Sequence, residues 1–554
     1  MASRQTYRCF FAVCVCAALL SFPAAVHADD AVNPEEAANT LFIEATQLYA
    51  EAQGAEKTDT RRAVALYGDV QKKLRLIREE YPSTQMGIQL AEGQLRIGAY
   101  TALDFEQAVL RPLEKRSASE RDPFSCAFFL IERIGDPEVQ LGVLIDAARR
   151  YGAAGFSEES RGLLGEIEAR TGAIADKGSR ARTLITIAAA YAELGRADDG
   201  LRVLAGAQPV AAALDDPSDR AKVLYDIANA MAAAGAYDRA YGIASAMSNA
   251  AGKTMVLVAL VDRYITDARQ DDARRILNET YKVSVVIPDN YQRALGWCEI
   301  AERYFRIGDT QKAIEMLDGV NAWAQALTLK EYQLSVLGDL AAKYAGAGET
   351  QKALDILQQI SHILEQIKDH TLKVENALKI ADTYRRLGMP AKAGELLLFA
   401  LGEAVLINDP FYRAASIAEI AGRYGSLGQY SRAMEIVQGI QEPVPKVIAS
   451  LGIAKGLADE GNSDGAGALL AAARTDAAGV KDQNARDALL IDIAERFAGE
   501  GRWQEAFETV ALIGGKPGRA LALSRIGSIC AKTGYALKES EIGVLQRVMR
   551  EAQQ

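Results

Sequence analysis

Small and apolar residues recur along most of the chain in one register. The segment Leu340-Ala341-Ala342-Lys343-Tyr344 is followed by Gly348 and Ala353. Forty residues earlier stand Ile300, Ala301, Tyr304, Gly308 and Ala313; forty later stand Ile380, Ala381, Tyr384, Gly388 and Ala393, then Ile420, Ala421, Tyr424, Gly428 and Ala433. With the residue after the Ile or Leu as anchor, the series reads Ala148, Ala188, Ala228, Val261, Ala301, Ala341, Ala381, Ala421, Ala454, Ala494 and Gly527. These are eleven units, spaced 40, 40, 33, 40, 40, 40, 40, 33, 40 and 33 residues apart. A fixed period of this size marks a repeat architecture.

Within a unit the spacing is helical. Leu337, Leu340, Ala341 and Tyr344 fall on one stripe of a helix. The glycine four residues after the aromatic, as at Gly195, Gly308, Gly348 and Gly501, suits a helix C-terminus that turns through a left-handed residue. A second helix follows, and its Ala240, Ala313, Ala353, Ala433 or Ala506 is small enough for two helices to cross closely. Seven extra residues lengthen a helix by about 10 Å and turn its face by only about 20°. The 40-residue units are therefore expected to carry a longer second helix, as in the stripe Ile356, Leu357, Ile360, Leu364, Ile367. In a 33-residue unit, Met434, Val437 and Ile440 run instead into Pro443 and Pro445.

The repeated Ala-Tyr-Gly-Ala pattern resembles the tetratricopeptide repeat family over roughly residues 125–540. Ala301, Tyr304, Gly308 and Ala313 match the family's small residue, aromatic, turn glycine and second-helix alanine, and Trp297 stands where its tryptophan lies. Leu144, Leu184, Leu224 and Leu490 replace that tryptophan elsewhere, and Met231 and Leu457 replace the aromatic. The resemblance implies an all-α fold, a right-handed superhelical solenoid of antiparallel hairpins, here in 33- and 40-residue units. It also implies that first helices line a concave face that binds protein segments.

The flanks read differently. Arg4 and Arg8 precede an apolar stretch from Cys9 to Val26, and Val26-His27-Ala28 fits a signal peptidase, so residues 1–28 read as a cleaved export signal. A retained anchor is the alternative; Pro23 within the stretch and Asp29 and Asp30 after it favour cleavage. Residues 29–124 read as a helical region with a degenerate repeat around Ala63 and Tyr67, broken from the array (125–540) by the polar segment Lys115 to Pro123. Glu539 replaces the small second-helix residue of the last unit, and residues 541–554, with Arg547, Arg550 and Glu551, read as a polar cap.

Charge and composition narrow the chemistry. Loss of residues 1–28 removes two arginines and no acids, moving the formal charge from −10 to −12 and disfavouring nucleic acid and anionic membrane as partners. No later stretch is long and uncharged enough to span a bilayer. Cys126, Cys298 and Cys530 remain, odd in number and far apart, and read as buried apolar residues rather than disulfide partners. Beyond residue 28 the only histidines are His362 and His370, a poor metal pair even with Glu365 and the one place for histidine-dependent nucleophilic catalysis. No phosphate-binding glycine loop appears, and none of the 73 carboxylates stands outside the repeat pattern. No catalytic residue, metal or cofactor is therefore assigned. Five acid–base pairs at i,i+4, Asp146–Arg150, Glu299–Arg303, Asp339–Lys343, Glu419–Arg423 and Asp492–Arg496, read as surface pairing along first helices.

Carried over from the family, the concave positions place Asn229, Glu302, Phe305, Arg306, Asp382, Arg385 and Arg386 as candidate binding residues. Other units offer small residues there, such as Ala345, Gly346, Gly422 and Gly425. The expectation is a non-enzymatic adaptor in the periplasm of a Gram-negative bacterium, holding a protein or peptide. The alternatives are an envelope enzyme or accessory subunit acting on cell-wall glycan, and a purely structural component of an envelope complex. Oligomeric state is left open.

Overall fold

The computed structural model describes residues 33–56 and 59–552, so the export signal expected at residues 1–28 and the last two residues of the sequence lie outside the described residues. The chain divides into two units, Met1–Ser117 and Ala118–Gln554.

In the first unit, α1 (Pro34–Ala55) and α2 (Thr60–Glu80) pack against each other, with Ala63 and Tyr67 buried. Tyr67 meets Tyr49 and Phe105 at ring-centroid distances of 5.6 and 5.7 Å. The expectation of a wholly helical region needs correction. After α3 (Gln85–Ala91) come two short antiparallel strands, β1 (Arg96–Ile97) and β2 (Tyr100–Thr101), turned at Gly98 (φ 58°). A π-helical turn (Glu106–Leu110) then leads into α4 (Arg111–Ser119). The polar segment expected to break the chain thus begins inside a helix; Leu, Glu, Arg and Ala are good helix formers whatever their polarity.

The second unit opens with α5 (Pro123–Ile131) and continues as hairpins. The first four pair α6 (Pro137–Ala153) with α7 (Ser157–Arg170), α8 (Lys177–Glu193) with α9 (Ala197–Ala212), α10 (Pro217–Ala233) with α11 (Tyr237–Ala246), and α12 (Ala250–Thr266) with α13 (Gln270–Val285). The next three pair α14 (Asn290–Arg306) with α15 (Thr310–Ala326), α16 (Lys330–Gly346) with α17 (Thr350–Leu364), and α18 (His370–Arg386) with α19 (Pro390–Ala404). Then follow α20 (Pro410–Ser426) with α21 (Tyr430–Gln438), α22 (Pro443–Asp459) with α23 (Ser463–Ala478), and α24 (Gln483–Gly499) with α25 (Trp503–Leu512). The chain ends in α26 (Lys516–Thr533) and α27 (Glu539–Glu551).

The two unit lengths sit in the second helices, as their stripes predict. Second helices α7, α9, α13, α15, α17, α19 and α23 have 14 to 17 residues, whereas α11, α21 and α25 have 9 or 10. Each hairpin turns through a left-handed residue, ten glycines from Gly155 to Gly534 and, once, Ala268 (φ 57°). The close crossing is visible where the second helix has serine or glycine in place of the crossing alanine. Ser160 donates to the Ala148 carbonyl at 2.7 Å, and a Cβ on Gly200 would lie 2.9 Å from the Ala188 oxygen. First-helix tyrosines reach back to the previous unit: Tyr304 donates to Asn278 (2.8 Å) and Tyr344 to Asp318 (2.6 Å).

The array does not end in two free faces. Each first helix packs on the next from α6 to α26, and α26 packs on α6 in turn, so the eleven first helices form a closed ring within this unit. The last hairpin is completed by the chain's own beginning, because α5 packs on α26 in the place of a second helix. Its nine residues match the short second helices, and Cys126, its fourth residue, holds the place that Ala313 holds in α15. The small residue missing at Glu539 is thus supplied by Cys126. A Cβ on Gly527 would stand 3.0 Å from the Phe124 ring, so the one glycine among the anchors makes room for α5. Arg121–Glu539 (2.7 Å) and Arg150–Glu495 (3.4 Å) also join the two ends. The tail read as a polar cap is the amphipathic helix α27, whose Ile542, Val544, Leu545, Val548 and Met549 are buried while Arg547 and Glu551 stay on its outer side. It packs on α25 and α5.

Candidate functional site

A cavity of about 370 Å³ opens between α14, α16 and α18. Glu302, Phe305 and Arg306 come from α14 and Arg386 from α18; Asp339, Ala342, Lys343 and Gly346 come from α16. Small residues at Ala342 and Gly346 create the space. A Cβ on Gly346 would meet nothing within 4 Å.

The walls are held by ion pairs between units. Arg303 bonds Asp262 of α12 at 2.7 Å and pairs with Glu299; Arg306 also pairs with Asp262. Lys343 bonds Glu299 at 2.9 Å and pairs with Glu302. Burial opposes the charge on Arg303, Glu299 and Lys343, yet their partners outweigh it. Glu299 is held below the usual carboxylate range by Lys343 and Arg303, and Lys343 above the usual lysine range by Glu302 and Glu299. Three acids (Asp262, Glu299, Glu302) thus face three bases (Arg303, Arg306, Lys343) and satisfy one another.

Two lining charges stand outside this network. Asp339 is half-buried, and among the described residues no base lies within 4 Å of its carboxylate. Burial pushes its carboxyl up, against the pull of Lys379 and Lys343 and with the push of Glu299. Arg386 is exposed at the cavity and forms no ion pair or side-chain hydrogen bond among the described residues.

Of the seven sequence candidates, four (Glu302, Phe305, Arg306 and Arg386) line this cavity. The other three do not. Asp382 faces Arg423 of α20 at 3.7 Å, Arg385 is exposed on α18, and Asn229 is half-buried on α10. Asp339 and Lys343 were missed as cavity residues because they read as an i,i+4 pair. Their signal was position: two residues before and two after Ala341, they flank the anchor on the face that α14 and α18 share. The intrahelical ladder also needs correction. Asp146–Arg150 and Glu299–Arg303 form, and Glu419–Arg423 closes at 3.4 Å, but Lys343 turns to α14, while Asp492 pairs with Arg525 of α26. A base on one first helix reaches an acid on its neighbour as easily as one a turn away.

The remaining chemistry-bearing residues belong to the packing. Cys126, Cys298 and Cys530 are free and buried, and burial pushes all three thiols up, Cys530 to about 12. His370 bonds Glu403 through Nδ1 at 2.7 Å, and Lys373 bonds the same carboxylate at 3.1 Å. Among the described residues no helix is long and apolar enough to cross a membrane.

Antiparallel hairpins, left-handed turn residues and small crossing residues in register decide the architecture. The fold is tetratricopeptide-like. No family model matches the chain, and no curated protein matches it in sequence. Solved structures of similar architecture include a putative kinesin light chain with TPR-like repeats from Podosopora anserina, 18% identical over 42% of this chain and 99% of that one, with a TM-score of 0.24. A Rap protein complexed with Competence and Sporulation Factor is 12% identical over 76% of this chain and 99% of that one, TM-score 0.27. The human IFIT1 dimer with PPP-AAAA is 14% identical over 78% of this chain and 96% of that one, TM-score 0.27.

Proposed function

We propose that this tetratricopeptide-like protein is a non-enzymatic scaffold that holds a segment of a partner protein against its first helices at the α14–α16–α18 cavity. The observation that carries the reading is a cavity whose walls are fixed by a balanced inter-unit ion-pair network and whose floor is kept open by Ala342 and Gly346. Rigid walls lower the ordering cost of binding, and stacked repeats present an extended surface without a catalytic cleft. Human IFIT1 was solved with PPP-AAAA, so disfavouring nucleic acid rests on the formal charge of −10 alone. The export signal read from residues 1–28 would place the scaffold in the periplasm, and cell fractionation tests that directly.

Gly346→Phe is the decisive variant, because it fills the cavity from a position with open space around its Cβ. Partner recovery from envelope extract is expected to fall at least about tenfold, a change of about 1.4 kcal/mol, with the circular dichroism spectrum unchanged. Equal recovery by both proteins would remove this face from consideration.

A further inference from the structure

We infer that the cavity recognises a protein segment carrying a lysine or arginine and a carboxylate side by side, the cation seated on Asp339 and the carboxylate on Arg386. The inference rests on the proposed binding face and adds what that face selects. Six charges around the cavity are already satisfied by one another: Arg303, Arg306 and Lys343 against Asp262, Glu299 and Glu302. A ligand charge gains little from a group whose partner it must first displace. Only Asp339 and Arg386 line the cavity without such a partner among the described residues, and they carry opposite signs.

Their settings differ in a way that assigns the roles. Asp339 is half-buried on α16, partly stripped of water and left without a donor. An incoming ammonium or guanidinium would repay the lost hydration with a charge-assisted hydrogen bond. Lys343 is the nearest base along the same helix, but its nitrogen is taken by Glu299 and Glu302 on α14. Lys379 of α18 acts on Asp339 only at a distance and does not line the cavity. Arg386 lies at the exposed edge and offers a planar fork that suits a carboxylate. In an extended segment, side chains two residues apart point to the same side about 7 Å apart. Such a pair offers one charge to each of the two unpartnered groups that line the cavity, and the pair itself is net neutral.

The test uses an array of ten-residue peptides in a Gly/Ser background, each with one Lys and one Glu at every separation, and Gln-for-Lys and Gln-for-Glu controls. The full chain is expected to retain Lys-x-Glu or Glu-x-Lys peptides about tenfold better than either control, as for the loss of one charge-assisted contact. Asp339→Asn is expected to erase the preference for lysine and leave that for glutamate; Arg386→Gln is expected to do the converse. Asp339→Lys should reverse the preference at the lysine position, a gain that misfolding cannot imitate. A lysine preference unchanged in Asp339→Asn, or no charge preference in the parent, overturns the inference. If Gly346→Phe still abolishes partner recovery in that case, the binding face stands and only the charge pairing fails. If Gly346→Phe changes nothing, the face itself has failed.

Discussion

Two single positions depart from what their surroundings prefer. Ala268 holds the left-handed turn (φ 57°) that ten units give to glycine, and it completes the same motif, with Arg269 donating its N–H to the Tyr264 carbonyl at 2.8 Å. An L-residue with a Cβ pays about 1–2 kcal/mol for that conformation. Ala268→Gly, partly offset by the greater freedom of unfolded glycine, is expected to stabilise the protein by about 1 kcal/mol, read as an upward shift of the thermal midpoint. Asp339 is the second. Its carboxyl is raised in the folded protein, so the fold favours the neutral form. The charge therefore weakens the fold above the folded-state value, and the penalty disappears below the unfolded value of about 3.9. Asp339→Asn is accordingly expected to melt above the parent at neutral pH, with the gap closing as pH falls. A gap that is constant across pH would show that desolvation of the charge is not its source. Stability lost at a residue that lines the cavity is what a binding role predicts.

At the level of the helix, the repeat was legible because each unit states the same local requirements eleven times. The small anchor, the aromatic three residues on and the turn residue four beyond that place ten hairpins, from α6–α7 to α24–α25, and the seven-residue difference between units falls in their second helices. Capping was overlooked, though its signal lies in the same register. Twelve residues before the anchor stand Asp136, Asp176, Asp216, Asn249, Asp289, Asp369, Asp409 and Asp482, each accepting from the backbone N–H groups of its first helix. Those N–H donors hold the Asp176 and Asp216 carboxyls below the usual range. The equivalent of α16 is Leu329, which is 52% exposed and caps nothing. Leu329→Asp should stabilise by about 1 kcal/mol, measured by chemical denaturation, because it satisfies an orphan donor and sacrifices little burial. The candidate site was half legible for a related reason. Glu302, Phe305, Arg306 and Arg386 follow from which face of a first helix points inward. That Lys343 pairs across to α14 and leaves Asp339 without a partner among the described residues depends on the spacing between neighbouring helices, which i,i+4 counting cannot see.

The closure of the array belongs to no local pattern. Sequence register reads units in order and leaves the last one incomplete at Glu539; that α5 completes it requires residues about 400 positions apart to meet, as Arg121 and Glu539 do. The traces were present in the unusual anchor Gly527 and in Cys126, but neither names its partner. Closure has a thermodynamic consequence. In an open solenoid the terminal repeats have one neighbour each and fray, because stability is a sum of repeat and interface terms. A ring has no terminal repeat. Amide hydrogen exchange in α6 and α26 is therefore expected to be as slow as in α14 and α16 at mid-array. Phe124→Ala removes the side chain seated over Gly527 and should cost about 3–5 kcal/mol at the seam. Exchange should then accelerate in α6, α26 and α27 first, while α14 and α16 keep most of their protection. If α6 and α26 already exchange far faster than α16 in the parent, the ends are open in solution. The seam would then be an occasional contact rather than part of the fold, and Phe124→Ala would leave the exchange pattern nearly unchanged.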